Sequence, residues 1–165
     1  MPELDHLIQG SKTKIILQSF ADRILILVTQ RGKVGNLIQA SIPPTTPLIS
    51  SEDVSSAIHL TPLLGAAPSA HLHTLHALYA TQIASHIWLG SRLGADRRPV
   101  VVGIALNRTK SPNGTDKDRD DDDLTLSDEE RSTFQGVMDM VKEILTAASN
   151  APGAEAVDPN TERDL

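Results

Sequence analysis

The chain has 165 residues, no cysteine, and only 2% aromatic residues in a 39% hydrophobic composition, so its core must be built from Ile, Leu, Val and Ala. These values fit one domain and exclude disulfides and thiolate metal sites. Residues 116–130 hold nine acidic and two basic residues, a net of −7 that exceeds the whole chain's −6; the remainder is near neutral and lacks the basic stripe and stacking aromatics of a nucleic-acid binder.

In chain order, strand patterns come first. Leu4–Gln9 is a weak one, Lys12–Phe20 a stronger one rich in large apolar and β-branched residues, and Arg23–Gln30 is apolar at consecutive positions. Such a run is covered on both faces and marks a central strand. Asn36–Ile42 is a fourth candidate. Short links between these runs predict antiparallel, meander-like pairing. Residues 43–54, PPTTPLISSEDV, read as a loop, because three prolines remove three backbone donors. Ser56–Leu64 reads as a fifth strand, with Pro62 pointing to an edge or bulge.

Ser69–Leu89 has helical periodicity. Ser69 is its N-cap, and Leu72, Leu75, Tyr79 and Ile83 make one apolar face, with Trp88 nearly opposite. Arg98–Leu106 is a sixth strand, again apolar on both faces. Residues 109–126 read as a disordered acidic insertion. Ser127–Ser149 is a second long helix, opened by the capping box SDEE with Ser127 as N-cap and Glu130 at N3. Residues 150–165 read as a flexible tail. The expectation is a single domain over 1–149 of the α+β class. It is a two-layer α/β sandwich, with a mainly antiparallel sheet of about six strands and two long helices.

The stretch RILILVTQRGKVGNL, Arg23–Leu37, carries the sharpest question. A phosphate loop needs G-x-x-x-x-G-K-[ST] between a strand and a helix. Here Val34 replaces the hydroxyl residue and a strand pattern follows. The pattern predicts a β-hairpin turn with Gly32 or Gly35 at positive φ, exposing Arg31 and Lys33. Four of six histidines (His71, His73, His76, His86) lie on the first long helix. His73 and His76 are three apart but lack a local carboxylate, so packing explains them better than a metal. Asp118, Asp120, Asp122 and Glu129 match calcium-loop positions, but Asp123 stands where the loop needs Gly. A metal- or calcium-dependent regulator is therefore the alternative reading and a solvated acidic linker the favoured one. There is no G-x-S-x-G and no nucleophile–base pair. The expectation is a protein that acts by binding, with no catalytic residue, metal or cofactor. MPELDHLIQG lacks the layout of a secretory signal, and no apolar run approaches the roughly 20 residues that span a bilayer; a cytoplasmic or nuclear protein with no membrane partner is expected.

FADRILILVTQRGKVGNLIQAS, the LLG of Leu63–Gly65 before the long helix, and RRPVVVGIALN after it occur in an order that resembles the proteasome assembly chaperone 3 family over roughly residues 4–107. The resemblance implies a two-layer α/β sandwich without catalytic residues. It also implies a chaperone of core-particle assembly that binds α-type subunits, promotes the α-ring and leaves before the particle is finished. The implied partner is a related chaperone similar to proteasome assembly chaperone 4, or a second copy of the chain. The turn Arg31–Val34 (Arg31, Lys33, Val34) and the loop 43–54 with Glu52 and Asp53 become candidate contacts with an α-subunit. An exposed face of the first long helix including Trp88, or an unpaired sheet edge, becomes the candidate dimer contact.

Overall fold

β1 (Glu3–Ile8), β2 (Ser11–Ser19), β3 (Ile24–Thr29), β4 (Asn36–Ser41), β5 (His59–Leu64) and β6 (Val100–Ala105) form one sheet, and α1 (Ser51–Ala57), α2 (Ala70–Gly90) and α3 (Asp128–Asn150) complete the element list. The computed structural model describes residues 1–48, 50–90, 97–107 and 126–150. The expected acidic insertion, save residue 126, and the expected tail beyond residue 150 lie outside them. The sheet order is β1-β2-β3-β6-β4-β5. Every neighbouring pair is antiparallel except β3 with β6. α2 packs on β4, β5 and β6, and α3 on β1 and β2. Both long helices therefore lie on one face, and the architecture is the expected α+β, two-layer one. No described helix is long and apolar enough to cross a membrane.

Periodicity of two assigns the faces. Ile15, Leu17, Ile24, Ile26, Val28, Ile38, Ala40, Val100, Val102 and Ile104 point at the helices and are buried. Val137, Met138, Val141, Ile144 and Leu145 of α3 and Leu75, Tyr79, Ile83 and Ile87 of α2 close the layer. Tyr79 and Phe134 tie the helices, ring centroids 5.0 Å apart and tilted by 52°. Both N-terminal signals hold. Ser69 Oγ accepts the Leu72 N–H at 3.2 Å. Ser127 Oγ accepts the Glu130 N–H at 3.2 Å, while Glu130 Oε2 accepts the Ser127 N–H at 2.9 Å.

Three expectations are corrected. The Gly32–Gly35 segment is not a hairpin, because β6 lies between β3 and β4. β3 and β6 are both apolar on both faces, so both need central places, and the sheet satisfies this by setting them side by side. Second, residues 51–57, which take in the end of the predicted loop 43–54 and the start of the predicted strand Ser56–Leu64, are helical, and β5 starts only at His59. Val54 is fully buried there, and Ser55 Oγ lies 3.3 Å from Ser85 Oγ of α2; packing on α2 supplies what seven residues of intrinsic propensity cannot. Third, Trp88 is 3% exposed, and its indole N–H donates to the Arg98 carbonyl at 3.0 Å. α2 is covered by the sheet, by α3 and by the segment entering β6. Its buried arc is thus wider than the predicted stripe and takes in Ala80, Ala84 and Trp88.

The β3–β4 link must cross the end of β6 at close quarters. Gly35 has φ +70°, and a Cβ there would overlap the Ile104 carbonyl and stand 2.8 Å from Ala105 Cβ. Gly32 has φ +63° with open space around it. Gly32→Ala is therefore expected to cost about 1 kcal/mol, the price of a left-handed L-residue. Gly35→Ala is expected to cost more than about 3 kcal/mol, because β6 backbone must also move. Urea denaturation of the two variants checks the ranking, and equal losses would remove the close crossing.

Candidate functional site

β3, β6 and β5 end, and β4, α2 and α3 begin, at one end of the sandwich, which we call the crest. Its central piece is the link 30–35. Thr29 Oγ1, mostly buried, accepts the backbone N–H groups of Arg31 and Lys33, each at 3.2 Å. Gln30 fastens the link on both sides. Its backbone N–H donates to the Ala105 carbonyl at 2.9 Å, its Nε2 donates to Thr13 Oγ1 at 2.9 Å, and its Oε1 accepts the Asn107 N–H at 2.8 Å. The link thus folds onto its own threonine and onto the strands. No helix N-terminus follows it, and two of its amides are already spent, so it cannot cradle a phosphate.

Asn36 joins this link to the end of β5. With its amide oriented to satisfy every partner, it donates to the carbonyls of Leu64 (2.9 Å) and Gly65 (3.3 Å) and accepts from His76 Nδ1 at 3.2 Å. Burial, with His73 nearby, lowers the His76 pKa below its ordinary 6.5, which keeps this hydrogen-bonded imidazole neutral. The motifs V-T-Q-x-G-K-x-G and L-L-G, far apart in sequence, therefore touch through Gly35, Asn36 and Gly65. What they display is Val34, Leu63 and Leu64, exposed at 45%, 47% and 62%, beside exposed Arg31 and Lys33.

Glu52 is exposed on α1, and the Asp53 side chain lies outside the described set. α1 sits between the end of β4 and the start of β5, at the opposite end of the sheet from the crest. Strands of six residues hold these ends roughly 20 Å apart. The expected sites thus separate. Arg31, Lys33 and Val34 share the crest, Glu52 stands at the far end and Trp88 is in the core. Sequence reading passed over Thr29, Gln30, Asn36 and the exposure of Leu63–Leu64. Thr and Asn flanking the two glycines were the available signal, as residues that hydrogen-bond backbone locally.

A second surface is the helix-free face of the sheet. At one level across five strands the register aligns Leu64, Leu37, Gly103, Leu27 and Ile16. Leu27 and Leu37 close over Gly103, where a Cβ would stand 2.5 Å and 3.2 Å from their Cδ2 atoms. Leu25 and Val101 extend this apolar field, with Gln18, Gln39 and Thr61 at its border. Lys12 and Lys14 are matched on the face itself by Asp5 (3.2 and 3.8 Å) and Glu3 (3.4 Å from Lys14). The result is an apolar, charge-balanced field that none of the described elements covers.

A family model described as proteasome assembly chaperone 3 matches residues 26–116. The chain belongs to the proteasome assembly chaperone 3 family. No curated protein matches it. Membership carries a chaperone role in proteasome assembly. The family match starts inside β3 and takes in β4, β5, α2 and β6, so the crest's central strands and turn lie within it, while β1, β2 and α3 lie outside. Among the described residues no three His, Asp or Glu side chains come together as a metal-binding group. His73 and His76 remain a pair, and His76 is engaged by Asn36. The Asp118–Glu129 pattern lies, up to residue 125, outside the described residues. Nothing here supports the metal-dependent alternative.

Beside the crest, Glu130 is 7% exposed and binds three ways. Besides its capping-box bonds, its Oε1 meets His71 Nε2 at 2.8 Å, joining the starts of α2 and α3. Burial pushes this carboxyl up, but the hydrogen bonds from Ser127 and His71 outweigh it, leaving the pKa below the ordinary 4.5. A depressed folded-state pKa gives stability that is present above the unfolded value and lost as pH falls through the folded one. Glu130→Gln is expected to cost about 1–2 kcal/mol at neutral pH. The gap to the parent should close as pH falls below 4.5. Denaturant titrations across that range check it; a gap independent of pH would show that the carboxylate charge is not what holds the helix starts together.

Proposed function

We propose that the chain is a non-enzymatic chaperone of the proteasome core particle that binds α-type subunits and promotes α-ring formation as a dimer. Its partner is a related chaperone similar to proteasome assembly chaperone 4, or a second copy of itself, in the cytoplasm or nucleus. The observation that supports the reading best is what the family motif does here. V-T-Q-x-G-K-x-G spends its threonine, glutamine and glycines on fixing a link over β6, and the side chains it leaves over face outward.

The two surfaces suit two kinds of contact. The helix-free face, apolar and charge-balanced, suits the lasting one, since obligate partners bury apolar area. A sheet of the same fold laid across it would bring matching rows together. The crest, small and carrying two cations, suits the transient contact with an α-subunit, because exposed charges set rate and selectivity more than strength. Glu52 and Asp53, at the far end, are a second and separate candidate for that contact.

Leu27→Lys, on the helix-free face, is expected to convert the dimer to monomer in size-exclusion chromatography with light scattering, with little change in melting temperature. An unchanged assembly would place the partner elsewhere. A tagged chain is expected to co-purify with a second small chaperone and free α-type subunits, and not with mature core particles. The pair R31E and K33E should weaken α-subunit capture about tenfold at unchanged melting temperature. Absence of α-subunits from the wild-type capture would sink the functional reading, and undiminished capture by the variant would remove the crest from it.

A further inference from the structure

We propose that the crest is a two-part docking surface, in which the aliphatic cluster Val34, Leu63 and Leu64 takes an apolar anchor while Arg31 and Lys33 take acidic side chains flanking it. The occupant is a partner-protein segment that carries Asp or Glu beside an aliphatic residue. The inference deepens the proposed α-subunit contact and rests on it for the partner's identity, but not for the chemistry of the surface.

Three observations carry it. First, the two halves are built as one. The Gly35 carbonyl lies 3.5 Å from where a Gly65 Cβ would stand, and Asn36 holds the Leu64 and Gly65 carbonyls at 2.9 and 3.3 Å. The Val34 turn and the Leu63–Leu64 strand end are thereby held as one surface by the hydrogen bonds of Asn36. Second, the leucines are displayed rather than packed. A register shift between Leu37 and Ile38 inserts Leu63 without a partner across the ladder, and both leucines stay about half exposed at the end of an edge strand. Edge strands ordinarily carry charge as protection. β5, HLTPLL, carries no Asp, Glu, Lys or Arg, and its Pro62 cannot donate to an added strand. Strand addition is therefore hindered at this edge, while its side chains remain free to pack. Third, the two cations of the link are unpaired among the described residues. Lys12, Lys14, Arg23 and Lys142 each have a carboxylate within 4 Å. Arg31 and Lys33 make no ion pair among the described residues, and their backbone N–H groups are held by Thr29, so the cations are presented on a fixed turn. Apolar area with adjacent uncompensated positive charge selects an acidic-aliphatic segment over a basic or purely apolar one.

The test uses a short synthetic peptide of alternating Glu and Leu, its Lys–Leu counterpart, and recombinant α-type subunits, all against the full chain. In amide NMR spectra the Glu–Leu peptide is expected to shift residues 33–36 and 63–65, and the Lys–Leu peptide to leave them in place. V34S/L63S and R31E/K33E should each weaken peptide binding about tenfold, with the first effect insensitive to salt and the second falling as salt screens the charges. The melting temperature and oligomeric state of V34S/L63S, which leaves Leu64 and the row on the helix-free face intact, should match the parent. Shifts confined to other residues, equal binding of both peptides, or a change of oligomeric state in V34S/L63S without loss of peptide would overturn the two-part surface. Full α-subunit capture by V34S/L63S would also overturn it while leaving the chaperone reading intact. Peptide binding at the crest in a chain that captures no α-subunit would sustain the surface and remove the proposed client.

Discussion

β6 is buried along its whole length on both faces of the sheet, and the rest of the structure follows from where such a strand can go. Helices cover one of its faces and side chains of the neighbouring strands, Leu27 and Leu37 over Gly103, close over the other, and a strand that depends on flanking strands for its burial has no stable place at an edge. β3 has the same character, and β6 takes the seat beside it, so that the two form the middle pair of the six strands. Taking that seat means pairing β3 with a strand that arrives only after β4, β5 and α2. The closure entropy of the much longer loop costs about 2 kcal/mol relative to the local hairpin. Burying Val100, Val101, Val102 and Ile104 contributes on the order of 8 kcal/mol. Long-range burial wins, and the local β3–β4 pairing is displaced.

The displacement makes the crest. Were β3 and β4 neighbours, their link could be a tight exposed turn with little need of support. Because β6 stands between them, the link has to cross strand ends whose last backbone groups need partners. Gln30 and Thr29 answer that need by bonding Ala105, Asn107 and the link's own amides. Gly35 answers the steric one. A loop fastened at this many points is stiff, and a stiff loop loses little entropy when it binds. The same crossing brings Asn36 within reach of the end of β5 and so fuses two distant motifs into one surface.

Much of this was legible in the residues, and the losses have a common cause. Strand and helix existence, both N-caps and the layer class come from local pattern: alternation in Lys12–Phe20, the capping box at Ser127, the stripe of Phe134, Val137 and Val141. The doubly apolar runs called for two interior places but did not say that β6 would stand between β3 and β4; the short link Gln30–Gly35 pointed to a local pairing. α1 was hidden because prolines 43, 44 and 47 colour a segment whose helical part starts only at Ser51 and is held by Val54 against α2. Trp88 was misplaced because a helical wheel sees one neighbour, while α2 packs against the sheet, α1, α3 and the segment entering β6. Of the candidate contacts, Arg31, Lys33 and Val34 were readable as a turn tip. Leu63 and Leu64 read as ordinary strand residues, because only the bulge and the edge position, both tertiary facts, expose them.

Two surfaces of opposite character on one small sandwich meet a requirement peculiar to assembly factors. A chaperone of a growing particle has to keep its own architecture while letting its client go. If one apolar surface served both, strengthening the dimer would slow release, since both would draw on the same buried area. On the proposed reading the fold separates them: lasting association draws on the row from Leu64 to Ile16, and the client contact on a crest whose cations lose strength as charge is screened or met by a competing partner. Leu64 stands at the seam, opposite Leu37 in the row and bonded through its carbonyl to Asn36 in the crest. A partner laid on the helix-free face therefore reaches the crest through one residue, which is where dimer formation can influence the client surface without covering it.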